Sequence, residues 1–281
     1  MAPNRISYCA QILRRQDPDR YLTALLAPAE RRESLFALYA FNLEVARVRE
    51  STREPIMGQM RLQWWRDSLA ELRAGRLRSH EVLKPLAAAI EAHNLDVGLL
   101  DRLLDTRERD MESAPPADLA ELLRYAQGTS STLVELALET LGEPAPPVRE
   151  AGRSLGVAWA LVGLLRAIPY HAGQRRMYLP LTVAAEAGLD AEQLFERGSS
   201  PPLRKAVQAV AREGGHWLAD ARRQRAEVPR PFLPALLLAS LAEGHLRRLA
   251  AAGYDPFDSR VQQAPPGRIW SLALRRTLGT Y

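Results

Sequence analysis

Two stretches of this chain place ionisable side chains at helical spacing. The first reads Tyr39-Ala40-Phe41-Asn42-Leu43-Glu44-Val45-Ala46-Arg47-Val48-Arg49-Glu50. The second reads Leu164-Leu165-Arg166-Ala167-Ile168-Pro169-Tyr170-His171, with Arg175-Arg176-Met177-Tyr178-Leu179-Pro180 close behind. Guanidinium groups form forks that match phosphate oxygens, so Arg47, Arg166, Arg175 and Arg176 are candidates for binding an anion without a metal. The competing use of those arginines is salt bridging. Glu44 and Glu50 stand about one and a half turns apart on the same stretch and could take up part of the positive charge. His171 is a lone histidine with no second histidine at ligand spacing, which suits a hydrogen-bonded structural residue better than a metal ligand.

Both stretches resemble the two signature segments of the squalene/phytoene synthase family. The Arg176–Pro180 run, Asp110-Met111 with Leu122, Tyr125 and Gly128, and Gly253-Tyr254-Asp255-Pro256-Phe257 with Arg260-Val261 resemble it too. The resemblance covers about Ser7 to Leu278. It implies an all-α, single-domain helical bundle of the isoprenoid synthase type around a central cavity, with 28–53 facing 147–168. In that family an allylic diphosphate ionises while Mg²⁺ neutralises the leaving group. Mg²⁺ takes oxygen ligands, and aspartates four residues apart on two facing helices supply them.

In this chain the aspartates of the first segment fall on Ala46 and Arg47, and the one that closes it falls on Glu50. Those of the second fall on Ala167 and His171, and a usual asparagine falls on Gly163. Pro169 should also break the spacing that would put 167 and 171 on one face. The resemblance therefore implies a non-catalytic protein with no catalytic residue, metal or cofactor. The alternative is an isoprenoid-diphosphate transferase with an atypical Mg²⁺ site drawing carboxylates from Glu44, Glu50 or Asp110.

Phe41–Val48, Gly58-Gln59-Met60-Arg61-Leu62-Gln63-Trp64-Trp65 and Leu165–His171 are similar to the branch of the family that assembles respiratory complex I. That likeness implies an assembly or binding factor whose partner is a complex I subunit or assembly intermediate, with an isoprenoid or lipid as a further ligand. It also implies a bacterial protein, cytoplasmic or peripheral on the inner membrane.

The elements that must position these residues are helical throughout, because apolar residues recur at three and four and no alternating β-branched run occurs. The expected helices are 28–53, 56–74, 81–93, 96–110, 118–141, 147–168, 202–228, 232–251 and 268–278, with short ones after Pro18, Pro180 and Asp190. Asp17 before Pro18 reads as an N-cap, and Asp118 with Glu121 has capping-box spacing. Glu50 should pair with Arg47, Arg49 or Arg53. One of Trp64 and Trp65 should be core and the other a rim or partner contact.

The chain has 281 residues, 47% apolar and 25% charged, with a formal charge of +5. That length fits one domain spanning 1–281. One cysteine, Cys9, excludes an internal disulfide. A pI near 9.6 raises nucleic acid as a partner. The arginines are interleaved with acids along amphipathic helices and no nucleic-acid motif occurs, so no nucleic-acid partner is expected. Met1–Ala10 lacks the apolar region of a secretory signal. The apolar run 231–242 is too short to span a bilayer and reads as a buried helix.

Overall fold

Helix starts are set by local capping chemistry. Asp17 accepts the backbone N–H of Arg20, and Pro18 occupies the first turn of its helix. Asp118 accepts the N–H of Glu121 at 2.8 Å, and the Glu121 carboxylate returns to the N–H of Ala117 at 2.6 Å. The computed structural model describes residues 6–51, 54–263 and 267–281. Its helices are α1 Tyr8–Gln16, α2 Pro18–Leu25, α3 Ala29–Ala46, α4 Pro55–Arg73, α5 Leu83–His93, α6 Val97–Arg107, α7 Leu119–Ala126, α8 Thr132–Leu141, α9 Pro146–Arg166, α10 Ile168–Gly173, α11 Leu181–Ala187, α12 Ala191–Arg197, α13 Pro201–Arg223, α14 Leu233–Leu236, α15 Leu238–Ala251, α16 Ser259–Gln262 and α17 Arg268–Leu278. No strand occurs among the described residues.

α9 is the central element. It gives Leu155, Ala158, Trp159 and Val162 to one apolar cluster, and Val157, Leu161 and Leu165 to a second. α3 packs into the first cluster through Leu35–Phe41, all buried. α13 packs into the second through Leu203, Ala206, Val207 and Val210. The 232–242 stretch is buried, as its apolar run implies, but it bends between α14 and α15.

The helix expected over 202–228 stops at Arg223, and three boundaries nearer the two stretches also differ from the sequence expectation. The helix expected over 28–53 stops at Ala46, and Arg53 lies outside the described residues. A turn takes over, in which the Ser51 hydroxyl donates to the Val48 carbonyl at 3.0 Å and competes with helical hydrogen bonding. The helix expected over 118–141 is interrupted by a π-turn at Gln127–Ser131. Gly128 lets that turn press on α6, since a Cβ there would lie 2.2 Å from Thr106 Oγ1. The helix expected over 147–168 ends at Arg166 and resumes at once as α10, with Pro169 in its first turn.

That last junction corrects the expected role of Pro169. A proline in a first turn lacks only a donor that has no helical partner there. The His171 N–H therefore still donates to the Ala167 carbonyl at 2.9 Å. Positions 167 and 171 keep helical spacing and line one cavity.

Candidate functional site

α3 and α9 face each other across a cavity of about 280 Å³. From α3 and the turn after it come Asn42, Ala46, Arg49 and Glu50, and from α9 come Trp159, Ala160, Gly163 and Leu164. Ala167 and His171 line the same cavity as Ala46 and Glu50. Four cations line the space, namely Arg20, Arg49, Arg107 and Arg176, against the carboxylates of Asp17, Glu50 and Asp110.

Asp110 organises the floor. The short 3₁₀ turn after α6, Glu108–Met111, turns it inward, where it is 4% exposed. It accepts from Tyr125 at 2.8 Å, from Tyr178 at 3.2 Å and from Arg107 at 3.1 Å. Arg107 also donates to the Tyr125 hydroxyl at 2.8 Å. Burial and the Asp110 charge push both phenols well above the usual tyrosine range. Arg176 donates to the Asp110 and Glu112 carbonyls, each at 2.8 Å, and its guanidinium lies over the Tyr178 ring.

His171 packs its ring 4.7 Å from Tyr178 and 5.5 Å from Tyr170. Burial first, and then the neighbouring Arg176 charge, lower its pKa to about 4, so it is neutral at physiological pH. Its described partners are rings, where a hydrogen-bonded role was expected. The π-turn presents Thr129 and Ser130 to the same cavity. Ser130 Oγ is buried without a hydrogen-bond partner among the described residues.

Of the residues the sequence singles out, Ala46, Glu50, Ala167, His171 and Arg176 meet in this cavity, and the other three arginines go elsewhere. Arg47 leaves α3 on its opposite side, bonds Gln16 and pairs with Glu50 at 3.5 Å. Arg166 points toward Asp19, 4.0 Å away. Arg175 pairs with Glu192 and lies over the Phe195 ring. The expected cluster of Arg47, Arg166, Arg175 and Arg176 is therefore not assembled, because neighbours at a helix end project in different directions. The cations actually gathered include Arg20 and Arg107, which no local spacing announced. Arg49 stood within the first stretch, and Asp110 and Tyr125 were marked only by the family likeness.

Asp19 anchors a separate buried cluster with Arg268 at 2.7 Å and His245 at 3.7 Å. Burial alone would raise this carboxyl, but His245, Arg268 and Arg166 outweigh it and hold Asp19 below the usual carboxylate range. Glu44 lies outside the α3–α9 cavity. It borders a groove of about 520 Å³ on the other side of α3, shared with Arg47, Trp64, Trp65 and His80. Trp65 is core at 3% exposure, whereas Trp64 lines the groove and meets Trp65 edge to face at 5.1 Å.

The cavity does not fit an Mg²⁺–diphosphate clamp. Such a site needs carboxylate oxygens free to face the metal. Asp110 is engaged by two phenols and a guanidinium, Asp17 by the α2 N-terminus and Arg20, and Glu50 by Arg47. The other positions of the two segments that line the cavity supply two methyl groups, from Ala46 and Ala167, and the neutral imidazole of His171. Among the described residues no group of three or more His, Cys, Asp or Glu could hold a metal ion.

Comparison with known proteins places this geometry. Residues 13–269 match the squalene/phytoene synthase family. Over 261 residues the chain is 33% identical to NADH dehydrogenase (ubiquinone) complex I, assembly factor 6, of Rattus norvegicus, covering 93% of this chain and 78% of that one. A dehydrosqualene synthase crystal structure superposes with a TM-score of 0.84 at 18% identity, over 96% of this chain and 94% of the other. The squalene synthase HpnC of Alicyclobacillus acidocaldarius gives 0.78 at 19% identity, over 89% and 94%. These two likenesses establish an isoprenoid synthase-type helical fold, and with the match over 13–269 the chain belongs to the squalene/phytoene synthase family.

Proposed function

We propose that this protein is a non-catalytic member of its family that serves as an assembly or binding factor for respiratory complex I. One observation carries the loss of catalysis. The cavity positions where the family would need carboxylates hold Ala46, an arginine-paired Glu50, Ala167 and His171. The similarity to assembly factor 6 over nearly the whole chain supports the partner, a complex I subunit or assembly intermediate. The location that goes with this reading is the cytoplasm or the periphery of the inner membrane. No helix of the described residues is long and apolar enough to cross a membrane.

The test is deletion of the gene in its host, with complex I followed by native electrophoresis and NADH oxidation. Loss of assembled complex, restored by the wild type and equally by Glu50→Gln, is expected. Full complex I in the deletion strain would overturn the assembly role.

The cavity also supports recognition of an anion without Mg²⁺, such as the phosphate group of an isoprenoid or lipid. Its arginines outnumber its carboxylates, and the unpartnered Ser130 hydroxyl lines it. Binding of a non-hydrolysable isoprenoid diphosphate in EDTA should fall in Arg49→Ala/Arg176→Ala and persist in Arg166→Ala. Equal binding by all three proteins would remove the site.

A further inference from the structure

α17 carries an apolar stripe on its solvent side. Trp270 is 80% exposed, Leu274 59% and Leu278 62%, at four-residue intervals that align along one helix face. Leu272, on the opposite side, is buried at 1% and fixes the helix against the first apolar cluster. Ile269, 58% exposed, extends the apolar surface beside Trp270. A tryptophan and two leucines held outward in this register cover no part of the fold.

The surroundings are basic. Glu243 is the one carboxylate shared by Arg222 at 2.9 Å and Arg275 at 3.5 Å, and it also feels the charge of Arg247. Arg276 donates to the Leu26 carbonyl, which leaves its charge uncompensated by that bond. Arg230 lies beside Gly279 at the end of the same helix. Arg268 at the other end is matched by Asp19, and Glu227 stands near Arg225, so carboxylates are present but outnumbered.

We propose that α17 is a docking surface for an anionic lipid bilayer, with Trp270, Leu274 and Leu278 entering the headgroup boundary. A basic amphipathic helix of modest overall hydrophobicity, with Trp and Leu on one face, lies in the plane of such an interface. Arg275, next to Leu274 in the chain, leaves the helix beside the stripe, where its guanidinium group reaches phosphates while its stem stays in apolar contact, whereas Arg276 turns toward Leu26 on the side of buried Leu272. The charge excess selects an anionic surface, because basic side chains near it are drawn to anionic headgroups within a Debye length. This deepens the peripheral location proposed above, and the complex I measurement is independent of it.

The test is co-sedimentation of the full chain with vesicles of phosphatidylglycerol and phosphatidylcholine, against phosphatidylcholine alone. Binding to the anionic vesicles that weakens with added salt is expected. Trp270→Glu/Leu274→Glu should weaken it by about tenfold or more, with the circular dichroism and melting of the wild type retained. Brominated lipid should quench wild-type fluorescence more than that of Trp270→Phe. Failure of the wild type to bind anionic vesicles, or equal binding by the double variant, would overturn the proposal. So would a change of oligomeric state in the double variant without any lipid binding, which would assign the stripe to a second copy of the chain.

Discussion

Asp110 shows how one carboxylate that could have held a metal serves another purpose. Its oxygens accept from two phenols and a guanidinium, which holds α6, α7 and the loop before α11 together. Asp110→Ala would strand the Arg107 charge in a largely dry place, and removing one member of a buried pair costs roughly 3–5 kcal/mol. Tyr178→Phe removes a single hydrogen bond and should cost only about 1 kcal/mol. Urea denaturation of the two variants checks both values, and similar losses would show that Asp110 is not the hub.

His171 makes a second residue-scale prediction, through pH. Its pKa in the fold is about 4, below the ordinary histidine value of about 6.5. Between those values the unfolded chain binds the proton and the folded chain does not. Stability from this group is therefore full above about pH 6.5 and declines as pH falls toward 4, by roughly 3 kcal/mol in all. His245 and His93 shift in the same direction, so the contribution is read as a difference. His171→Phe keeps the ring stack and should be less sensitive to acid than the wild type over that window. Identical pH profiles would place His171 in solvent.

At the scale of elements, two glycines of α9 should respond oppositely to alanine. A Cβ on Gly156 would lie 2.2 Å from Ser131 Cα, on the backbone of the π-turn. That backbone cannot yield cheaply, so Gly156→Ala should destabilise by about 3 kcal/mol or more. Nothing lies within 4 Å of a Cβ on Gly163, which faces the cavity from within the same helix. Gly163→Ala should instead stabilise by up to ~1 kcal/mol through helix propensity. Thermal melts of the pair decide it, and a destabilised Gly163→Ala would mean the cavity wall is closer-packed than described.

The same contacts show what could be read from the chain. Helix starts at Pro18, Leu119 and Ala191 were legible because Asp17, Asp118 and Asp190 cap within three residues. The π-turn was not, since it depends on Thr106 and Gly156, each more than twenty residues away from their contacts on it. The facing of α3 and α9 followed from the two stretches and the family likeness. The arginine grouping did not, because Arg166 and Arg175 answer to Asp19 and Glu192, which lie far off or around a turn.

At the scale of the whole molecule, a fold and the chemistry associated with it are separable. The bundle keeps two helices facing across a cavity, yet fills that cavity with Trp159, an Asp110–tyrosine network and arginines. Function resides in such sites and not in the fold alone. The measurement that bears most directly on this is pyrophosphate release by the purified protein with Mg²⁺ and farnesyl or geranylgeranyl diphosphate. Release no greater than in a control without protein is the expected result. Mg²⁺-dependent release that disappears in Glu50→Gln would contradict it, and would make Glu50 a metal ligand in a working transferase.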